Sequence, residues 1–276
     1  MKTLNVIGCG RVGQTLAKLL QGHLQIQDLY SRTFASAQKA VAFVGAGNAV
    51  AELAQMRPAD IWLISVPDAQ VGLVAQTLIE ASQRAPHLQF AGATAFHNSG
   101  FLSSEALAPL QALGCDVASV HPVLNFASPE TGVSQFAGTP CGLEGDVGAL
   151  ALLEPLITAI GGRCFEIASA HKPLYHAAAV FASNFTTVMQ GVAQDAWQSA
   201  GVPSEMMRPL TQALMQSTID NVLAMGPAQA LTGPAARGDT AVVQAQAQVV
   251  QNWNAQAGDA YRFLSVMASN LKQRLN

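Results

Sequence analysis

Three glycines close to the start of the chain have the spacing of a phosphate-binding loop. Gly8, Gly10 and Gly13 lie between a short apolar run and a helical pattern. In such a loop the first glycine permits a tight turn, the second lets the backbone approach a pyrophosphate, and the third allows close packing of helix on strand. The helix that follows would point its free N–H groups at the phosphates. The alternative is an ordinary strand-to-helix turn. The predicted cofactor-binding residues of this loop are Gly8, Gly10, Arg11, Val12 and Gly13.

The end of the second predicted strand indicates which dinucleotide would bind. A site that prefers NAD usually places Asp or Glu there, roughly 20 residues past the glycines, to bond the ribose 2′-hydroxyl. This chain has Ser31, Arg32 and Thr33 instead, and its nearest acid, Asp28, lies inside the strand. Because a guanidinium and hydroxyl groups can bind a 2′-phosphate, we expect NADP(H) as the cofactor. The alternative is that Arg32 is a solvated loop charge. Two further predicted cofactor contacts, at the end of a later strand, are Val66 and Pro67.

Two histidines follow predicted strands. His97 comes after the apolar run 88–93, and His121 comes directly after 117–120. Ligands of a parallel doubly wound sheet bind outside the carboxyl ends of its strands, so both histidines are expected near the cofactor cleft. We predict that His97 exchanges a proton with the substrate, that Ser99 positions a substrate oxygen, and that His121 contacts the substrate. The alternative for either histidine is a hydrogen bond to a loop carbonyl.

A third cluster opens the helical second half. At 100° per residue, the side chains of Lys172, His176, Ser183 and Thr187 fall within about 60° of one another, with Asn184 at the margin. On an apolar helix such a stripe needs partners or a ligand. We predict that Lys172 and His176 are catalytic, that Asn184 binds the substrate, and that the other two residues pack.

Arg237 lies among small residues in a loop and could bind a substrate carboxylate in a bidentate manner. An equally weighted alternative is that Arg237 pairs with Asp239 while Asp239 caps the next helix. A metal site is not expected, because no carboxylate lies at ligand spacing beside His97, His121 or His176.

The composition limits the class of protein. The chain has 276 residues, of which 50% are hydrophobic and 11% charged, and its formal net charge is −3. With no run of like charges, neither nucleic acid nor an anionic membrane is an expected partner. The first strand starts at once, no apolar stretch reaches the roughly 18 residues of a membrane span, and the four cysteines have no disulfide or zinc spacing. We expect a cytoplasmic protein, and its low charge favours a homodimer through the C-terminal helices.

Strand and helix signals alternate over the first part of the chain, which predicts an α/β fold: a Rossmann-type doubly wound, mainly parallel sheet. Strand signals vanish near Ala170, so an all-α domain should follow. The predicted domains are residues 1–168 and 169–276. The predicted strands are 4–7, 25–30, 60–66, 88–93, 117–120 and 164–167, with 139–144 open as an edge strand. The predicted helices run to 22 and over 36–44, 70–84 after an Asp68 cap, 105–113, 149–160, 173–200 and 205–225, and a final helix of about 30 residues starts after Asp239.

The whole chain resembles a bacterial family of Rossmann-like oxidoreductases with a C-terminal helical domain of unassigned function. More distantly it is similar to pyrroline-5-carboxylate reductase, ketopantoate reductase and the β-hydroxyacid dehydrogenases. The last group carries a catalytic lysine followed four residues later by asparagine; Lys172 matches the lysine, but His176 replaces the asparagine. The motifs that carry the family resemblance are Gly8–Gly13, His97-x-Ser99-Gly100, His121-Pro122, Lys172-x-x-Tyr175-His176, Ser183-Asn184 and Leu231-Thr232-Gly233-Pro234-x-x-Arg237-Gly238-Asp239.

These observations together predict an NADP-dependent oxidoreductase that transfers a hydride between nicotinamide and a small substrate. The substrate would be a ketone or imine, or the matching alcohol or amine, and would bear a carboxylate. Two alternatives stay open. One is a non-catalytic NADPH-binding sensor or scaffold, since fold alone does not fix function. The other is hydride exchange between NADP and a deazaflavin coenzyme, which the resemblance allows.

Overall fold

The computed structural model describes residues 1–273 and divides into two compact units. Unit 1 runs from Met1 to Phe181, and unit 2 begins at Ala182. Within the described residues, no helix is both long enough and apolar enough to cross a membrane.

Unit 1 is built on one sheet of eight strands, whose spatial order is β3-β2-β1-β4-β5-β6-β7-β8. All neighbouring pairs are parallel except β6 and β7, which are antiparallel. The chain leaves β1 in one direction through β2 and β3, and then returns to the other side of β1 through β4. This reversal is the topological switch point at which doubly wound sheets bind ligands. The strands are β1 (Thr3–Ile7), β2 (Gln25–Tyr30), β3 (Asn48–Val50), β4 (Ile61–Ile64), β5 (Thr94–His97), β6 (Asp116–Pro122), β7 (Pro140–Gly145) and β8 (Arg163–Glu166).

Helices cover both faces of this sheet, and each face has its own apolar core. Side chains alternate along each strand, so Leu63 of β4 enters one core while Trp62 and Ile64 enter the other. The predicted α/β fold with a mainly parallel sheet is confirmed. The helices of unit 1 are α1 (Arg11–Leu20), α2 (Phe34–Val44), α3 (Asp68–Arg84), α4 (Ala108–Gln111), α5 (Pro129–Gln135), α6 (Val147–Ala159) and α7 (Lys172–Ala179).

Two strand predictions near the histidines need correction. The apolar run 88–93 is not a strand: Phe90 packs on Trp62, with ring centroids 4.9 Å apart, and the strand starts only at Thr94. His97 is therefore the last residue of β5. The strand predicted at 117–120 is longer, Asp116–Pro122, so His121 lies within β6. Apolar residues alone do not distinguish a buried loop from a strand, which explains the displacement.

Three other predicted elements differ in detail. The predicted edge strand at 139–144 is β7, and it lies inside the sheet between β6 and β8. The predicted helix 105–113 is a 3₁₀ turn, Ser104–Leu107, followed by the short α4. Asp68 does not cap α3 from outside: it is the first helical residue, and Pro67 occupies the N-cap position.

The regular elements in the described part of unit 2 are all helices. A π-helical turn, Val180–Phe185, follows α7 and leads into the first helix of this unit. The predicted final helix of about 30 residues is wrong, because Asn254 has extended backbone angles (φ −151°, ψ 114°) and divides it into two helices. The Asn254 Oδ1 atom then accepts a hydrogen bond of 3.0 Å from the Ala257 N–H and so caps the second one. The helices of unit 2 are α8 (Thr186–Ser199), α9 (Met207–Met225), α10 (Pro227–Ala230), α11 (Thr240–Trp253) and α12 (Ala255–Gln273).

The division between the units falls later than the predicted domain boundary at 168/169. The first turns of the predicted second-domain helix belong to unit 1. Lys172, the first residue of α7, explains this placement, because its side chain is completely buried and bonded to Ser119 of β6 and to Ser99 in the turn after β5.

Candidate active site

The glycine loop connects β1 to α1, and each of its glycines is required for a different reason. Gly8 has φ +96°, and a Cβ atom there would collide with the Ser65 carbonyl oxygen. A Cβ on Gly13 would collide with the carbonyl oxygen of Gly8, so this glycine sets the close approach of α1 to the loop. An added Cβ on Gly10, in contrast, would have no neighbouring atom within 4 Å. Gly10 therefore keeps a space open rather than relieving a clash.

That space belongs to a cavity of about 340 Å³ at the carboxyl ends of the central strands. Gly10 is the N-cap residue of α1 and supplies no side-chain cap, so the first-turn N–H groups of this helix are free for an anion. The residues present thus fit the pyrophosphate of a dinucleotide. A larger cavity of about 540 Å³ lies in unit 2 between α11 and α12 and contains none of the predicted site residues. The smaller cavity is lined by Gly10, Arg11, Val12, Ser65, Val66, Asp68, Asn98, Ser99 and Phe126.

The residues predicted to choose the cofactor lie directly after β2. The Oγ1 atom of Thr33 accepts a hydrogen bond of 3.2 Å from the Ser36 N–H and caps α2, so Thr33 has a structural task. Arg32 is exposed, and it forms no ion pair with any residue that the structure describes. Asp28 is buried and is bound by the Arg57 guanidinium at 2.6 Å. The Asp28 carboxylate is therefore already paired with Arg57 and does not form an ion pair with Arg32.

Lys172 and His97, both predicted to exchange protons with the substrate, are held by protein groups. The Lys172 ammonium is fully buried; it donates to the Ser99 carbonyl oxygen at 3.0 Å and to the Ser119 Oγ atom at 2.5 Å, and it lies 3.7 Å from a Glu144 carboxylate oxygen. Burial lowers the pKa of Lys172, and the nearby Glu144 carboxylate opposes that shift. Because the ammonium has three partners and no exposed surface, it is placed to hold the Ser99 and Ser119 groups of the site in position.

Both ring nitrogens of His97 are also occupied. Nε2 lies 3.0 Å from the Ser103 carbonyl oxygen and must carry the proton, while Nδ1 accepts a hydrogen bond of 3.1 Å from the Ser99 N–H. Burial lowers the pKa of His97, which agrees with a neutral ring. The Ser99 hydroxyl is engaged as well, since it accepts from the Phe101 and Leu102 N–H groups. This geometry gives His97 and the Ser99 hydroxyl a structural role and does not support a proton transfer by His97.

His121 and His176 form the part of the cluster that keeps free ring nitrogens. Their ring centroids are 5.7 Å apart, and the rings meet edge to face. Nδ1 of His121 lies 2.8 Å from the Tyr175 hydroxyl, and Nδ1 of His176 is buried without a hydrogen-bond partner. Burial and the neighbouring His176 lower the pKa of His121 to about 4, so this ring is neutral at ordinary pH.

Gly100 provides the room for these two rings. A Cβ atom at this position would lie 2.6 Å from His176 Nδ1 and 2.8 Å from His121 Nε2. Gly100 is one residue beyond Ser99, which lines the cavity above the glycine loop. The histidines are thus brought close to the cleft by the turn that follows β5. Asn98 in the same turn donates to the Val120 carbonyl oxygen at 3.0 Å, and its Oδ1 atom is buried without a partner.

The predicted polar stripe on the first long helix is not continuous. It assumes a uniform α-helix, but in the π-helical turn Val180–Phe185 each residue rotates by less than about 100°, which shifts the later residues around the helix axis relative to His176. Asn184 is exposed, and Thr187 donates to the Ser183 carbonyl oxygen at 3.2 Å. Arg237 ends a 3₁₀ turn, Ala235–Arg237, is exposed, and has no ion pair with Asp239. The Asp239 side chain does not cap α11.

Sequence reasoning assigned no role to three residues of this site: Ser119, Glu144 and Tyr175. Glu144 is the most informative, because a lone carboxylate within an apolar strand is a signal for a buried partner. Its oxygens accept hydrogen bonds from the Ser104 N–H at 2.7 Å, from the Ser104 hydroxyl at 2.9 Å and from the Ser169 hydroxyl at 2.7 Å.

Two family models match this chain. The Rossmann-like domain matches residues 2–122, and a domain of unknown function, DUF2520, matches residues 139–268. The chain therefore carries a Rossmann-like domain followed by a DUF2520 domain, which confirms the resemblance seen in the sequence. The second model begins just before β7, so the strand that carries Glu144 is part of the DUF2520 match.

Solved structures share this architecture over nearly the full length. Protein TM1727 from Thermotoga maritima is 28% identical, with 98% of each chain covered and a TM-score of 0.75. BF3122 from Bacteroides fragilis, named as a candidate NADP oxidoreductase, is 23% identical over 98% of each chain, with a TM-score of 0.78. An imine reductase from Myxococcus stipitatus in complex with NADP⁺ is 18% identical and has a TM-score of 0.63, covering 99% of this chain and 94% of its own. No curated protein matches this chain in sequence.

Proposed function

We propose that the protein is an NADP-dependent oxidoreductase acting on a small carbonyl or imine substrate. The observation that carries the proposal is the cavity above Gly10, which lies at the switch point of the sheet and is lined by Asn98 and Ser99, the residues just before the Gly100 that packs against His121 and His176. When bound, NADPH would supply a hydride to the substrate carbon, and the substrate oxygen or nitrogen would need a proton. The residues proposed to bind the cofactor are Gly8, Gly10, Arg11, Val12, Gly13, Ser31, Arg32, Val66 and Pro67.

The preference for NADP over NAD would come from Arg32 and Ser31. Arg32 is exposed directly after β2 and keeps its guanidinium donors free of carboxylates. Asp28 would not bind a ribose hydroxyl, because its carboxylate is engaged by Arg57. A 2′-phosphate at this position would therefore meet positive charge and no competing negative charge.

The substrate would be handled by His176 and His121, with Lys172 behind them. His176 would polarise the substrate oxygen or nitrogen through a ring N–H, and His121 is a neutral hydrogen-bond donor to the substrate. Lys172 would fix the Ser99–Gly100 turn through the Ser99 carbonyl oxygen rather than touch the substrate. Asn184 and Arg237 remain proposed substrate contacts, with Arg237 assigned to a carboxylate.

The test is a fluorescence titration of the purified protein with NADPH and with NADH. We expect the protein to bind NADPH at least tenfold more tightly than NADH. Arg32→Ala should weaken NADPH binding by about tenfold to a hundredfold, the value of one charge-assisted hydrogen bond, and leave NADH binding unchanged. Lys39→Ala is the matched control, since it removes an equally exposed positive charge from α2.

The outcomes separate the possible functions. Binding of neither nucleotide would refute the proposal. Tight NADPH binding without oxidation of NADPH by any oxo acid, cyclic imine or deazaflavin acceptor would instead favour the non-catalytic sensor. If NADPH oxidation required a deazaflavin acceptor, the small-substrate proposal would be wrong and the cofactor proposal would stand.

A further inference from the structure

The pairing of His121 with Tyr175 determines which nitrogen of the imidazole carries the proton. The Tyr175 hydroxyl lies 2.8 Å from His121 Nδ1. Burial raises the pKa of Tyr175 to about 12, so the phenol keeps its proton. Because no other described residue accepts that proton, we assign the hydroxyl as the donor and Nδ1 as the unprotonated acceptor. A neutral His121 then carries its single proton on Nε2.

The packing holds this pair in one arrangement. The His121 and Tyr175 rings meet edge to face with centroids 5.5 Å apart, and Phe165 stands edge to face with Tyr175 on another side, at 6.0 Å. Two glycines leave the space: a Cβ atom on Gly142 would lie 3.0 Å from the Tyr175 hydroxyl oxygen, and one on Gly100 would meet the His121 ring. A side chain at either position would displace the pair.

The Nε2 atom of His121 is free for a ligand. No residue in the described part of the chain bonds it, and the atom is not sealed from solvent. His176 is also expected to carry its proton on Nε2, for a different reason. Its Nδ1 atom is buried without an acceptor, and an N–H there would be an unpaired donor, so the proton belongs on Nε2.

We propose that Tyr175 is a positioning residue that fixes His121 as the Nε2–H tautomer, and that the Nε2–H groups of His121 and His176 bind an oxygen acceptor of the substrate. Two N–H donors suit a carbonyl or carboxylate oxygen. They do not suit a protonated imine, which is itself a donor and a cation. The inference rests on the proposed oxidoreductase function and narrows its substrates to oxo acids.

The first test reads the tautomer directly and needs neither cofactor nor substrate. In ¹⁵N-histidine-labelled protein, with the His121 signals assigned by comparison with His121→Gln, Nδ1 should have the shift of an unprotonated nitrogen and Nε2 that of a protonated one. In Tyr175→Phe the two tautomers should become mixed. Tyr261→Phe is the matched control, because it removes the hydroxyl that donates to Gln246 at 2.7 Å in unit 2. A protonated Nδ1 in the native protein, or no change in Tyr175→Phe, would overturn the inference.

The second test concerns the substrate. With pyruvate and 2-oxobutyrate as probes, we expect Tyr175→Phe to lower kcat/KM for NADPH oxidation at least tenfold while the Kd for NADPH changes less than twofold. An unchanged kcat/KM would overturn the role of Tyr175, and turnover of cyclic imines without turnover of any oxo acid would overturn the substrate assignment. If the native protein failed to bind NADPH, the proposed function would fail instead, and the tautomer measurement would still decide the role of Tyr175.

Discussion

Lys172 and Glu144 form an ion pair that is buried on both sides, with the Lys172 Nζ atom 3.7 Å from a Glu144 carboxylate oxygen. Lys172 opens α7 and Glu144 lies in β7, so the pair ties the helix to the sheet. The remaining groups around it are the Ser99 carbonyl oxygen and the Ser119 hydroxyl on the lysine side, and Ser104 and Ser169 on the glutamate side. Such complete pairing is what makes a buried charge tolerable.

Removing the lysine should therefore lower the stability of the fold more than it directly affects catalysis. Lys172→Met leaves the Glu144 carboxylate buried without a cation, and we expect the free energy of unfolding to fall by about 3–5 kcal/mol. The double variant Lys172→Met/Glu144→Leu should lose less than the sum of the single variants, because it removes both charges together. Urea denaturation followed by circular dichroism measures these changes.

The control is Lys2→Met, which removes an exposed lysine 3.9 Å from Asp60 and should change the free energy of unfolding by less than about 1 kcal/mol. A Lys172→Met variant that kept its stability and its NADPH affinity but lost turnover would contradict the structural role. Such a result would instead support the catalytic role of Lys172 that the sequence predicts.

This pair also shows what the sequence could and could not predict. The glycine loop was predictable because its residues are adjacent in the chain, and each spacing has a local steric meaning. Lys172 and His176 were found because both lie in the first turns of one helix. Glu144 was missed since its partners come from distant parts of the chain, and only the order of the strands brings them together.

The prediction of a continuous polar stripe was wrong for a different reason. Helical periodicity was extended through residues 180–185, where the backbone is π-helical, and nothing in the composition of that segment marks the change. The final helix failed at Asn254, whose capping role depends on its own backbone angles. Periodicity predicts that a helix exists, but it does not locate a local break.

The second prediction separates two glycines of the loop. Gly10→Ser should leave the free energy of unfolding unchanged or slightly higher, because Gly10 has ordinary extended angles and serine is the better N-cap residue. Its side chain would enter the cavity, so NADPH affinity should fall at least about tenfold. Gly13→Ala should instead destabilise the fold by about 3 kcal/mol, through the clash with the Gly8 carbonyl oxygen.

Gly22→Ser serves as the control for the glycine variants, because an added Cβ at Gly22 also meets no atom within 4 Å. It should change neither stability nor NADPH affinity. If Gly10→Ser lowered the free energy of unfolding as strongly as it lowered the free energy of NADPH binding, Gly10 would be needed for folding and not for keeping the cleft open.

The third prediction concerns pH. Burial lowers the pKa of His121 from 6.5 to about 4, with smaller contributions from the neighbouring His176 and Lys172, while Asp68 opposes the shift. The unfolded chain therefore binds a proton at His121 before the folded protein does, and stability present above pH 6.5 is lost as the pH falls toward 4. The full loss from this group is about 3 kcal/mol.

Urea midpoints between neutral pH and pH 4.5 measure this loss, and His121→Gln should flatten the dependence because it removes the titrating ring. Some acid sensitivity should persist, since burial lowers the pKa of His97 in the same direction. His23→Gln, at an exposed histidine, should leave the profile as it is. A native profile that is flat from pH 7 to pH 4.5 would rule out a neutral, buried His121.

The fourth prediction is that the protein is a homodimer through its C-terminal helices. Leu174 of α7 is 77% exposed, and on α12 the exposed fractions of Phe263 and Met267 are 73% and 57%. Large apolar side chains four residues apart lie on one face of a helix and favour a covering partner. Sedimentation should give the mass of two chains, and Phe263→Glu/Met267→Glu should shift it toward one chain, whereas Gln38→Glu on α2 should not. A native protein that sediments as one chain at micromolar concentration would refute the homodimer.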